Sequence, residues 1–190
     1  MQSAYQLKKL GATIYVASLV GVSITREIGP VLTSLVIAGR VGAAITAELA
    51  TMKVTEQIEA LETIGLDPVR YLVAPRFLAL LVMLPCLVIL GNFVGMFGGF
   101  VIGVFSLDLT PGLYIDTTIK FLTIKDISTG LMKSAVFSMI ISLIACHQGL
   151  WTQGGAEGVG RATTRSVVMS FILIIIADAI LTGLFYFANT

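Results

Sequence analysis

Residues 77–105 read FLALLVMLPCLVILGNFVGMFGGFVIGVF, a run that contains no charged side chain. A helix needs about 20 mostly apolar residues to cross the hydrocarbon core of a bilayer. Three further segments reach that length with few charges: residues 28–47, 131–151 and 166–188. The sequence therefore predicts four membrane-spanning helices. Residues 11–24 are apolar but shorter, which favours an interfacial or re-entrant helix.

The composition of the whole chain agrees with a membrane protein. Hydrophobic residues make up 56% of it and charged residues 12%, against about 25% charged residues in soluble domains. So few charges cannot solvate a globule of this size. The net charge of +1 gives no basic surface for nucleic acid. Cys86 and Cys146 both lie within apolar runs, which indicates packing rather than a disulfide framework.

The longest polar stretch between two spans, residues 48–76, contains a short amphipathic helix at 54–64. Its apolar face carries Val54, Ile58, Leu61 and Gly65, and three glutamates line another face. Helices that lie on membranes prefer Lys and Arg on the polar face. The glutamates therefore favour docking into the groove of a partner protein.

Two sets of charged residues stand near or within the spans. Arg26 and Glu27 precede Pro30, which suits the first turn of a helix. They are either a charge pair in the headgroup layer or the polar rim of a lipid cavity. Arg40 lies about 18 Å into its span. Intramembrane charges are usually paired, so we expect an ion pair with Asp178, either structural or part of a transport site.

A glycine recurs at every fourth residue of the second span, at Gly91, Gly95, Gly99 and Gly103. Small residues at this spacing let membrane helices approach closely. The repeat fits either packing within the chain or a subunit interface.

No catalytic, metal or nucleotide site is predicted. Residues 155–162 resemble a phosphate-binding loop, but Arg161 and Ala162 stand where Lys and Ser or Thr are required. His147 is the only histidine, and one histidine forms no metal cluster. The residues therefore indicate a membrane protein without a cofactor site of its own. A membrane enzyme acting on lipids would need clustered His, Asp or Glu at one membrane face, which the sequence does not show, and a scaffold subunit is a further alternative.

The chain resembles the MlaE family of ABC permeases, which includes plastid lipid permeases. The matching blocks are residues 26–32, 38–48, 55–61, 67–68, 74–77 and 161–168. The resemblance implies a single all-α permease domain over 1–190, with four spans, an interfacial helix and a cytosolic amphipathic coupling helix. Family permeases carry one more span before this point, so the chain is expected to be a five-span permease without its first span.

The resemblance also implies a function and a set of partners. Such a permease moves phospholipid or a related lipid between the inner membrane and a periplasmic MCE-domain protein. It works as a pair of copies, each bound to an ATPase subunit that holds ATP and Mg²⁺, with a small accessory subunit on the ATPase. The implied location is the Gram-negative inner membrane rather than the plastid inner envelope.

Two groups of residues acquire roles by this resemblance and by their positions. The residues expected at the lipid cavity are Arg26, Glu27, Ile28, Val31 and Lys133. The residues expected to couple to the ATPase are Thr55, Glu56, Ile58, Glu59, Leu61 and Glu62.

Overall fold

The computed structural model describes residues 15–107 and 109–188, and every regular element in these ranges is helical. The α-helices are α1 (Tyr15–Ser23), α2 (Gly29–Ile37), α3 (Ala43–Val54), α4 (Gln57–Thr63), α5 (Ala74–Leu107), α6 (Pro111–Phe121), α7 (Ile124–Leu150) and α8 (Gly155–Ala188). Wider π turns occupy Ile24–Ile28, Ala38–Gly42 and Val69–Val73.

Four helical runs are long and apolar enough to cross a membrane. They are Val16–Val54, Val69–Phe105, Ile124–Leu150 and Gly155–Phe187. The predicted all-α membrane fold with four spans is thereby confirmed. Each run is also longer than hydropathy indicated. Polar residues continue most of the helix ends, and the apolar segment from Val16 onward extends the first run.

The first run differs from the sequence prediction, since α1, the first π turn and α2 follow one another without a break. Residues 15–24 thus continue into the first span, and residues 11–14 lie outside the described part. Pro30 lies inside this run rather than in its first turn. Proline lacks an N–H group and its ring crowds the carbonyl four residues earlier. The wider turn accommodates this, and the Gly29 N–H donates to the Ile24 carbonyl oxygen.

The chain divides into two compact units, and the first comprises residues up to Pro30 with Leu87–Met132. In it α1 packs on α6, and glycines of α5 provide the space for close contacts. A Cβ atom on Gly99 would lie 2.7 Å from Val20, and one on Gly103 would lie 2.6 Å from Tyr114. Tyr114 also meets Phe100 edge to face at 5.6 Å. The glycine repeat therefore serves packing within the chain at these positions.

The second unit comprises Val31–Cys86 with Lys133–Thr190, and α3 packs along α8 in it. Small hydroxyl residues join its helices. The Thr46 hydroxyl lies 2.9 Å from the Ser166 hydroxyl and 3.2 Å from the Ala145 carbonyl oxygen. Fully buried apolar side chains fill the remaining space, among them Leu49, Leu84, Phe137, Ile141 and Ile174. Small polar contacts of this kind hold helices together in lipid, where apolar surface alone gives no driving force.

Candidate functional site

Arg26 lies in the first π turn, and its guanidinium Nε donates a hydrogen bond to Asp126 Oδ1. The Arg26 side chain remains 44% exposed, whereas that of Asp126 is only 3% exposed. The ion pair therefore holds an accessible cation on a buried carboxylate. Charge-assisted bonds of this kind are stronger than neutral ones.

Asp126 is itself fixed by the start of α7. Its Oδ2 accepts hydrogen bonds from the Thr123 backbone N–H at 2.8 Å and from the Thr123 hydroxyl at 2.7 Å. Thr123 is the residue before the helix and Asp126 occupies its third position, the arrangement of a capping box. Both carboxylate oxygens are thus engaged.

A close backbone approach brings Asp126 within reach of Arg26. Gly130 lies one turn after Asp126 on α7, and a Cβ atom placed on it would collide with the carbonyl oxygen of Thr25. The Thr25 hydroxyl is turned away and donates to the Gly21 carbonyl oxygen at 2.9 Å. Only glycine permits this contact, so the ion pair depends on Gly130.

The other predicted cavity residues are distributed over both units. Glu27 and Ile28 lie with Arg26 in the first unit, where Glu27 is partly buried and Ile28 is 47% exposed. Val31 belongs to the second unit and is partly exposed. Asp126 was not predicted from the sequence, since it lies 100 residues from Arg26. The capping-box pattern from Thr123 to Asp126 was the one available signal.

Lys133 is fully buried in α7, so it presents no ammonium to an open cavity surface. Its Nζ lies 2.8 Å from Asp178 Oδ1 and 2.7 Å from the Thr182 hydroxyl, both on α8. The Thr182 hydroxyl in turn donates to the Asp178 backbone carbonyl at 2.8 Å. Lys133 therefore joins α7 to α8 through a buried network of charged and polar groups.

The predicted ion pair between Arg40 and Asp178 is wrong, because Asp178 binds Lys133 and Arg40 is exposed. The pairing was expected because the depth of Arg40 in the membrane was counted from the ends of the apolar segments rather than from the ends of the helices. Counted from the observed helix ends at Val54 and Gly155, Arg40 lies about 21 Å along its helix and Asp178 about 35 Å. This difference in level is too large for the two side chains to meet.

The amphipathic helix predicted at 54–64 is observed as the shorter helix α4, which follows a sharp turn at Glu56 with φ +59°. The structure corrects the expectation for Ile58, which is 4% exposed and packs within the chain rather than facing a partner. Leu61 is partly buried, whereas Thr55, Glu56 and Glu62 are exposed. The exposed surface around α4 therefore combines the acids Glu56 and Glu62 with apolar residues that follow the helix, Ile64 at 70% and Leu66 at 41% exposure.

Two ion pairs fasten the region around α4. Lys53 Nζ donates to Glu59 Oε1, and this hydrogen bond holds the pKa of the Glu59 carboxyl below its usual value. Arg76 and Glu48 pair at 3.0 Å and link α5 to α3. The lowered pKa means that the contribution of the Lys53–Glu59 pair is present at neutral pH. It is lost only when the pH falls through that lowered value.

The part of the chain that the structure describes contains no group of three or more metal-ligating residues. His147 stacks on Trp151, with ring centroids 5.9 Å apart. The glycine-rich segment after it enters α8 directly rather than following a strand. His147 therefore contributes a packing contact.

A family model described as permease MlaE matches residues 1–184. The chain belongs to the MlaE permease family. This MlaE permease is similar to a probable ABC transporter permease of Rickettsia conorii, with 47% identity over 98% of the chain and 72% of that protein. A probable ABC transporter permease of Synechocystis sp. is 44% identical over 98% of the chain and 71% of its own length.

A plant relative extends the comparison. The Arabidopsis thaliana chloroplastic protein trigalactosyldiacylglycerol 1 is 38% identical over 98% of the MlaE permease and 53% of its own length. The family match and these relatives make the chain a permease subunit of an ABC transporter that resides in a membrane.

Proposed function

We propose that this MlaE permease moves phospholipid or a related lipid between the inner membrane and a periplasmic MCE-domain partner. The observation that carries the proposal is the accessible Arg26 guanidinium held on the buried Asp126 carboxylate. Guanidinium groups bind phosphate through a planar fork of N–H donors. A headgroup phosphate at Arg26 would leave its acyl chains beside apolar side chains such as the exposed Ile28.

The relatives support a lipid substrate. The Arabidopsis protein bears the name of a galactolipid, trigalactosyldiacylglycerol. A headgroup of sugars and one of phosphate share hydrogen-bonding oxygens, so an arginine beside an acid suits both. Glu27 adds a carboxylate that could accept hydrogen bonds from hydroxyl groups or meet a cationic headgroup.

The energy source in this proposal is a separate ATPase subunit that binds ATP and Mg²⁺. Two copies of the permease each bind one ATPase through α4, with Thr55, Glu56, Glu59 and Glu62 as contact residues. A small accessory subunit is expected on the ATPase. The proposed location is the Gram-negative inner membrane, with the plastid inner envelope as the counterpart for chloroplast relatives.

Purification through a tag on this chain tests the proposal. We expect an ATPase in equal amount, an MCE-domain protein, and lipid phosphorus that remains bound in mild detergent. An ATPase without bound lipid would favour a subunit that only anchors a complex. Conversion of a lipid by the isolated permease would show a membrane enzyme instead.

Replacing Glu27 with arginine is expected to reduce co-purified lipid and lipid transfer severalfold, with ATPase content unchanged. The longer side chain would fill the space beside Arg26, and it would place a positive charge where Glu27 has a negative one. Glu27→Gln is the matched control, because it removes the charge of the side chain but keeps its size. Normal lipid content in Glu27→Arg would assign Arg26 and Glu27 a purely structural role.

Replacing Glu62 with lysine is expected to weaken ATPase association about tenfold, because losing one charge-assisted hydrogen bond across the interface costs about 1.5 kcal/mol. Glu62 is exposed on α4, so the permease itself should fold normally. The ratio of ATPase to permease after purification measures the effect. Asp116→Lys, the same charge change at an exposed acid of α6, should leave the ratio unchanged. Equal ratios in both variants would exclude α4 as the contact.

A further inference from the structure

We infer that Asp126 is a positioning residue for lipid recognition: it orients the Arg26 guanidinium so that its remaining N–H donors face the headgroup phosphate. The inference rests on the proposed function, because it assumes that Arg26 binds lipid. It adds a residue that does not itself touch the ligand and that no family motif in the sequence pointed to.

The ion pair with Asp126 uses only part of the hydrogen-bond donors of Arg26. A guanidinium has five N–H groups in a fixed plane. The bond to Asp126 engages Nε, the atom nearest the side-chain stem. Among the described residues no other partner is shown for Arg26, which leaves the four N–H groups on Nη1 and Nη2. The plane of the guanidinium, and therefore the direction of those donors, is set by Asp126.

Asp126 is itself held in a fixed orientation. Its side chain is almost fully buried, and its other oxygen accepts two hydrogen bonds from Thr123. A carboxylate with both oxygens engaged cannot turn without breaking bonds in a low-dielectric environment. Arg26 by contrast is nearly half exposed and would otherwise sample many rotamers. Binding of a headgroup would then require ordering of a long side chain, which lowers affinity.

Asp126 also changes the net charge that a ligand meets at Arg26. An Arg26 that stood alone would attract any anion, including inorganic phosphate. The buried carboxylate compensates the arginine charge, so a ligand gains mainly from directed hydrogen bonds. This arrangement favours a phosphodiester that also fills an apolar surface over a small free anion.

The experiment uses the complete complex purified through the permease. Binding of a short-chain phosphatidylglycerol with a fluorescent acyl chain is measured for the wild type, Arg26→Gln, Asp126→Asn and the double variant. We expect Arg26→Gln and Asp126→Asn each to weaken binding about tenfold, the value of one hydrogen bond to a charged group. The double variant should bind no more weakly than Arg26→Gln alone, because Asp126 acts through Arg26.

A purely structural Asp126 predicts different results. Asp126→Asn would then lower the thermal midpoint and the yield, but leave the affinity of the folded fraction unchanged, and its losses would add to those of Arg26→Gln. Unchanged affinity of the folded Asp126→Asn variant, or additive losses in the double variant, would overturn the inference. Normal binding by Arg26→Gln would instead contradict the proposed function.

A second variant keeps the test informative if Asp126→Asn fails to fold. Thr123→Val retains the carboxylate and its charge but removes the hydroxyl bond to Oδ2. We expect a smaller loss of affinity, about threefold, and no loss in the Arg26→Gln background.

Competition with inorganic phosphate distinguishes a lipid headgroup from free phosphate as the ligand of Arg26. Weak competition supports a lipid headgroup, and displacement at equal concentration would overturn the inferred selectivity.

Discussion

Replacing Asp178 with alanine is expected to lower the stability of the permease by about 3–5 kcal/mol, the usual effect of breaking a buried ion pair. The reason is that the fully buried Lys133 side chain would lose its ion-pair partner. Asp178 is partly exposed, at 23%, which places the expected value towards the lower end. Yield from membranes and the thermal midpoint in detergent both measure the effect.

Two further variants test whether the loss of stability in Asp178→Ala comes from the broken ion pair. Thr182→Val removes one hydrogen bond to Lys133 and should cost much less, about 1 kcal/mol. The double variant Lys133→Met with Asp178→Asn removes both charges and should recover part of the loss. Additive losses in the double variant would show that Lys133 and Asp178 do not act as a pair.

Replacing Gly130 with leucine is expected to have the second large effect. A side chain at this position must push α7 away from the Thr25 carbonyl oxygen. Overpacking of a close contact costs about 1–3 kcal/mol, and more when backbone must move. The same shift would separate Asp126 from Arg26, so we expect lower thermal stability and less bound lipid per folded permease.

Gly98→Leu is the matched control for this prediction. Gly98 lies in α5 of the same unit, and a Cβ atom on it would meet no atom within 4 Å. The added side chain should therefore be tolerated and should leave bound lipid unchanged. Equal effects of the two substitutions would contradict the close approach at Gly130.

The architecture was predictable from sequence because four apolar segments are long enough to cross a bilayer. The ends of the helices were not predictable, because the apolar segments end at the first polar residues whereas the hydrogen-bonded helices continue beyond them. That error in the ends also produced the wrong partner for Arg40. The π turn before Pro30 could not be predicted either, because proline near the start of an apolar run equally suits a helix beginning.

The candidate site was predictable only in part. Arg26 stood out as a charge at the edge of an apolar run, but Asp126 is distant in sequence and its burial follows from tertiary packing. Ile58 was assigned to a partner surface because an isolated amphipathic helix must bury its apolar face somewhere. The structure shows that the chain itself covers Ile58, and the sequence held no information to decide between the two.

Transfer of lipid by the reconstituted complex tests the central claim most directly. The permease and its co-purified ATPase are placed in liposomes that contain a fluorescent phospholipid, together with the purified MCE-domain partner, and movement of the label between bilayer and partner is followed. We predict transfer that requires hydrolysable ATP and that Arg26→Gln reduces severalfold while ATPase content is unchanged. Transfer at the same rate with a non-hydrolysable ATP analogue, or no transfer above protein-free liposomes, would contradict the account.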